Sequence, residues 1–136
     1  FVSLEERCNI ANEKNAVYFV ALHRNSAKSG NGVEIWIKND NPTQDASLAG
    51  NILTELDNVG VSADRGVRTG IESNPQGNYY VNRNTVMPSC LVETGFITDE
   101  TDNRLFDEHF EAYAAAIADG IAKTYSEYNL TVTTEH

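Results

Sequence analysis

The chain has 136 residues, 40% of them hydrophobic and only three of them proline, which supplies one ordinary core and makes a single domain the default. Twenty acidic against ten basic residues give a formal net charge of −10, the opposite of the cationic surface that nucleic acid or an anionic membrane attracts. No apolar run approaches the roughly 18 to 20 residues that span a bilayer, and two cysteines are too few for a disulfide framework.

Phe rather than Met stands first and a helix opens at the third residue, which reads as a processed or excised piece of something longer. Ser3 followed by Glu6 forms a capping-box pattern, and Leu4, Cys8 and Ala11 recur at helical spacing, so a helix is predicted from Ser3 to Lys14. Val17 to Leu22 is a continuous apolar run of strand length, the pattern of a strand covered on both faces, and His23 follows it directly. The Ser, Asn and Gly of residues 24–31 predict a loop. Val33, Ile35 and Ile37 then alternate with Glu34, Trp36 and Lys38, which predicts a half-covered strand nearer an edge. After a turn at Asn41-Pro42, Leu48, Ile52, Leu56 and Val59 mark an amphipathic helix that stops at Gly60.

Four glycines, one proline and little periodicity between Gly60 and Asn78 predict a long surface loop. Tyr79 to Val81 reads as a short strand. Ser89 to Val92 reads as a second buried strand with Glu93 at its exit, and the residues from Phe106 to Ile121 read as one long last helix. The polar, Thr-rich segment 129–136 predicts a flexible tail after a domain spanning residues 1–128. Cys8 and Cys90 lie among apolar neighbours and read as inert core residues. Helix and strand alternate throughout, so the predicted class is α/β with a largely parallel sheet flanked by helices and the functional residues at the carboxyl ends of its strands.

Two apolar strands end in His23 and Glu93, which places both on one edge of the sheet. An imidazole ligates metal or titrates near neutral pH, and a carboxylate at the mouth of an apolar strand is desolvated toward a useful pKa. The pair suits metal-assisted hydrolysis or plain acid–base catalysis. The plainer alternatives are a hydrogen-bonded strand-end histidine and a glutamate ion-paired to Arg83 or Arg68. Other candidates are weaker. Ser3, Ser26 and Ser89 lack a nucleophile-elbow context, His109 sits among Asp107, Glu108 and Glu111 on a solvated helix face, His136 is terminal, and the glycines form no phosphate-binding motif.

Taken in order, the segments resemble the catalytic domain of the Amidase_3-type N-acetylmuramoyl-L-alanine amidases from Phe1 to about Tyr128. The resemblance rests on five ordered motifs. They are Phe1-Val-Ser-Leu-Glu-Glu-Arg7 with Ala11-Asn12, Val20-Ala-Leu-His-Arg-Asn25, Gly32-Val-Glu-Ile-Trp36, Asp64-Arg-Gly-Val67, and Pro88-Ser-Cys-Leu-Val-Glu-Thr-Gly-Phe-Ile97. It implies a mostly parallel or mixed central sheet flanked by helices, phosphorylase/hydrolase-like, lacking its first strand in this chain. It also implies one zinc ion held by His, Glu and His, with a separate glutamate as general base. His23 matches the later histidine ligand and Glu93 the catalytic glutamate, while the other two ligands belong upstream of Phe1.

By the same resemblance the substrate is peptidoglycan, glycan strand and stem peptide together, and the location is extracellular, in the cell wall or periplasm of a bacterium. Asn25 and Arg83 are further candidates, Asn25 for orienting His23 or the substrate. Glu34, Asp40 and Asp45 are the substitutes at hand for the absent ligands, though their spacing does not recommend them. Without its first strand the sheet is expected to have a gap that exposes Phe19 and Leu91. The rival functions are a non-catalytic peptidoglycan-binding domain and a related zinc carboxypeptidase.

Overall fold

A computed structural model describes residues 1–129; most of the predicted tail, 129–136, lies outside the described residues, as does His136. Four strands, β1 (Phe19–Asn25), β2 (Val33–Ile37), β3 (Asp64–Thr69) and β4 (Ser89–Phe96), form one sheet in the order β1-β4-β2-β3. β1 runs parallel to β4 and β2 parallel to β3, but β4 and β2 are antiparallel. The sheet is therefore mixed rather than largely parallel. The helices are α1 (Leu4–Glu13), α2 (Thr43–Val59), α3 (Tyr80–Asn84), α4 (Glu100–Glu108) and α5 (Phe110–Asn129).

Local chemistry explains most of the element ends. The Ser3 hydroxyl accepts a hydrogen bond from the Glu6 amide at 3.1 Å and so caps α1. α2 stops at Gly60, whose N–H donates to the Leu56 carbonyl. α2 and α5 cross closely over one face of the sheet, because Gly120 has no side chain: a Cβ there would stand 2.6 Å from the Cα of Ile52. Ile35, Ile37, Leu48, Ile52, Leu56 and Val92 are fully buried between these helices and the sheet. On the opposite face Cys8 of α1 and Val81 of α3 pack against Trp36 and Leu91.

Several expectations are corrected. β2 is not a half-covered edge strand; it lies between β4 and β3 with all five residues buried. Its alternation of polar and apolar residues reflects two different covers, not water on one side. The segment after Gly60 is not all loop, since Asp64–Thr69 forms the edge strand β3, with one apolar residue, Val67, as its only sequence signal. Tyr80–Asn84 is a short helix, not a strand, and folds two aromatic residues over the sheet. The last helix is broken at His109, whose extended φ of −117° separates α4 from α5. No gap opens beside Leu91, which is only 4% exposed; β1 pairs directly with β4 and forms the sheet's end, with Phe19 half-buried.

Candidate active site

β1 and β4 run parallel in a register that pairs His23 with Glu93, so the two strands deliver both side chains to one edge and one face of the sheet. The juxtaposition expected from the two strand ends is present. The Thr94 hydroxyl donates to the His23 carbonyl at 3.0 Å and ties the two strand ends together. His23 is exposed, while Glu93 is only 8% exposed.

Glu93 has no ion pair with Arg83 or Arg68. Its Oε2 is buried and accepts no hydrogen bond among the described residues. Desolvation, and secondarily the charge of Glu34 on the neighbouring strand, pushes its carboxyl up to about 7. Burial and then the Arg7 guanidinium lower the pKa of His23, which favours a neutral imidazole with a free lone pair. Tyr79 stands close by: burial, then the charges of Glu93, Glu34 and Glu72, raise its hydroxyl above the usual range. A neutral imidazole beside a desolvated, unpartnered carboxyl puts a donor atom and a base next to each other.

The other predicted residues fall elsewhere. Asn25 donates to Glu34 Oε1 at 2.7 Å rather than to His23, and its own Oδ1 accepts from the Ser26 amide. Arg83 lies over the Tyr80 ring, 5.6 Å from its centroid. Asp40 is exposed, and Asp45 is buried at the far end of β4, accepting from the Ser89 amide. His109 is half-buried at the α4–α5 break, 6.3 Å from the Tyr113 ring. A cleft of about 280 Å³ is lined by His23, by Leu22 and Arg24 beside it on β1, by Thr94 of β4 next to Glu93, and by residues of α4 and α5, while Glu93 itself is not among its walls.

The sequence reading named Glu34 only as a substitute metal ligand and Arg68 only as a partner for Glu93, gave Arg65 no role of its own, and did not foresee that the three come together. Glu34 is 2% exposed, opposite Glu93 in register, and both arginines reach its Oε2, Arg65 at 3.3 Å and Arg68 at 3.0 Å. The available signal was an acid set between Val33 and Ile35 in a strand otherwise apolar enough to be buried. Two arginines around a glycine could then have supplied its partners.

A catalytic zinc ion takes about three protein ligands and keeps one position open. Among the described residues no group of three His, Cys, Asp or Glu side chains is placed to hold a metal. The side chains of His23 and of Glu93, with its unpartnered oxygen, are of the kinds that could serve such a site as one ligand and an adjacent base.

The fold is a mixed-sheet α/β domain with a histidine and a buried glutamate side by side at the ends of two parallel strands. The family described as N-acetylmuramoyl-L-alanine amidase, Amidase_3, matches residues 1–123, and the chain belongs to that family. It is similar to the sporulation-specific N-acetylmuramoyl-L-alanine amidase of Bacillus subtilis, 32% identical over 128 residues that make up 93% of this chain and 47% of that protein. Among solved structures it resembles Cwp6 from Clostridium difficile, with a TM-score of 0.80 and 31% identity over 90% of this chain and 20% of that one. It also resembles the N-acetylmuramoyl-L-alanine amidase AmiC2 of Nostoc punctiforme, with a TM-score of 0.76 and 35% identity over 90% of this chain and 66% of that one. The chain spans about half the length of the curated relatives it matches.

Proposed function

We propose that this chain carries the general base and one zinc ligand of a peptidoglycan hydrolase that cleaves the amide between N-acetylmuramic acid and the L-alanine of the stem peptide. Family membership supports the reaction class, and the buried, unpartnered Oε2 of Glu93 is the observation that carries the assignment. His23 would hold the metal together with ligands beyond the described set. Zinc, when bound, lowers the pKa of a water and polarises the scissile carbonyl. Glu93 Oε2 accepts a proton from the attacking water and then returns it to the departing amine of L-alanine, so its carboxylate is regenerated at the end of each turnover. Work of this kind belongs outside the membrane, at the cell wall. Among the described residues no helix is long and apolar enough to cross a membrane.

The short donor set keeps a second reading in play, a domain that binds peptidoglycan without cutting it. Zinc stoichiometry and product analysis separate the two. Muropeptides treated with the zinc-loaded protein should acquire free L-alanine amino termini and keep the rest of the stem intact. Glu93→Gln should lower this rate by about a thousandfold while the zinc content holds. Wall hydrolysis that survives the substitution removes Glu93 from the mechanism, and release of a carboxyl-terminal amino acid instead makes the protein a carboxypeptidase.

A further inference from the structure

The edge strand β3 holds an arrangement that the hydrolytic pair does not use. In a regular strand, residues three apart point to opposite faces. Arg65 and Arg68 nonetheless reach the same oxygen, Glu34 Oε2. The reason is a bulge: between the pairs Val33↔Asp64 and Ile35↔Val67, β3 spends two residues, Arg65 and Gly66, where β2 spends one, and Gly66 adopts a φ of 86°. The extra residue turns both arginines to the face that carries Glu34, Trp36 and, across the sheet, Glu93. Bulges beside active sites commonly re-aim a side chain in this way.

Both guanidiniums are held yet incompletely used. Arg65 lies over the Phe96 ring at 5.1 Å and Arg68 over the Trp36 ring at 5.7 Å. Arg65 Nε donates to Glu34 Oε2, Arg68 Nε donates to the Arg65 carbonyl while ion-paired with Glu34 Oε2 at 3.0 Å, and the terminal nitrogens of both donate to none of the described residues. The side chains are 28% and 41% exposed, so these free forks face solvent. One buried carboxylate needs one counter-charge; here two cations converge on it in a chain of net charge −10.

We infer that Arg65 and Arg68 form a subsite for a carboxylate of the stem peptide, resting on the peptidoglycan reading of the neighbouring site. A planar fork pre-stacked on an aromatic ring is suited to bidentate recognition of a carboxylate. The backbone of β3 lies two strands, about 10 Å, from that of β4, but both arginines reach in to Glu34, the register partner of Glu93 one strand away, which sets the forks about two residues of extended peptide from the scissile amide. The ligand is therefore an acidic residue near the second or third position of the stem, and amidation of that carboxylate should weaken its binding.

The test is equilibrium binding of two synthetic probes to the full-length, zinc-loaded protein. One is a tripeptide beginning with L-alanine and carrying a free carboxylate on its second residue; the other is the same peptide amidated there. The free acid should bind about tenfold more tightly than the amide, and Arg68→Gln should abolish that difference while leaving the amide's affinity unchanged. Arg68→Lys, which keeps the charge and loses the fork, should retain only part of it. Equal binding of the two probes to the unaltered protein overturns the subsite, and so does an equal loss for both in Arg68→Gln. Binding does not require turnover, so a protein that prefers the acid but cleaves no muropeptide contradicts the hydrolytic reading and leaves the subsite standing.

Discussion

The two faces of the sheet are made by the same strands and do opposite things. β2 sends Val33, Ile35 and Ile37 to the α2–α5 side and Glu34 and Trp36 to the other; β4 sends Cys90 and Val92 one way and Leu91 and Glu93 the other. The first face is a closed apolar layer under two long helices. Among the described residues the second is covered by α1, the short α3 and Tyr79 just before it, and carries two buried carboxyls within it. Burying ionisable groups costs stability, and the closed face supplies the surplus that lets the open face keep them.

The largest expected effect breaks the closed face. Ile52, fully buried where α2 meets Gly120, should cost about 3 kcal/mol on replacement by alanine. This reads out as a lower urea midpoint, with hydrolysis per folded molecule unchanged.

Next comes the open face, where removing a charge should help. The Glu93 carboxyl is raised from 4.5 to about 7 by burial and by Glu34. The folded state thus holds a proton that the unfolded chain releases, and stability is full below the unfolded value and is lost as pH rises through the folded one. In metal-free protein Glu93→Gln should therefore be more stable than the parent by about 2 kcal/mol at pH 8 and equal to it below pH 4. A variant no more stable at pH 8 would show that the site exacts no such penalty.

The smallest effect sharpens the contrast at the rim of the closed face. Asp57, on α2, is raised from 3.8 to about 6 by desolvation, then by hydrogen bonding to and repulsion from Asp64 at the start of β3. The sign is the same, a loss of stability as pH climbs from 4 to 6. Asp57 is partly solvated, so Asp57→Asn should gain only about 1 kcal/mol at pH 8 and nothing at pH 3. Paired denaturation curves at the two pH values check it.

Where side chains follow solvent, the sequence was readable. The N-cap at Ser3, the stop at Gly60, the buried strand β4 and the pairing of His23 with Glu93 all follow from local pattern, whereas the apolar run of β1, read as a strand covered on both faces, forms the end strand of the sheet with its residues half-buried or exposed. The misreadings cluster on the open face, where polarity does not mean water. Glu34 made β2 look half-solvated because its partners come from β3, thirty-one residues on. β3 itself, Asp-Arg-Gly-Val-Arg-Thr, has no strand period because the bulge at Gly66 resets the alternation. Tyr79 to Val81 has strand-like composition, but the tertiary fit of Val81 against Trp36 selects a helix. Of the candidate site, the juxtaposition of His23 and Glu93 was visible in the sequence and the Glu34–arginine cluster was not, since it depends on register.

The free thiols follow the same division. Cys90 is sealed inside the α2–α5 layer and Cys8 lies under α1 against Trp36, each about 1% exposed or less. A thiol reagent reaches each only when its own layer opens, so the two side chains act as separate clocks. Cys8 should be modified at the rate at which α1 lifts away from the sheet, and Cys90 only at the far slower rate of global unfolding. The molecule thereby carries its own measure of how independently its working face moves.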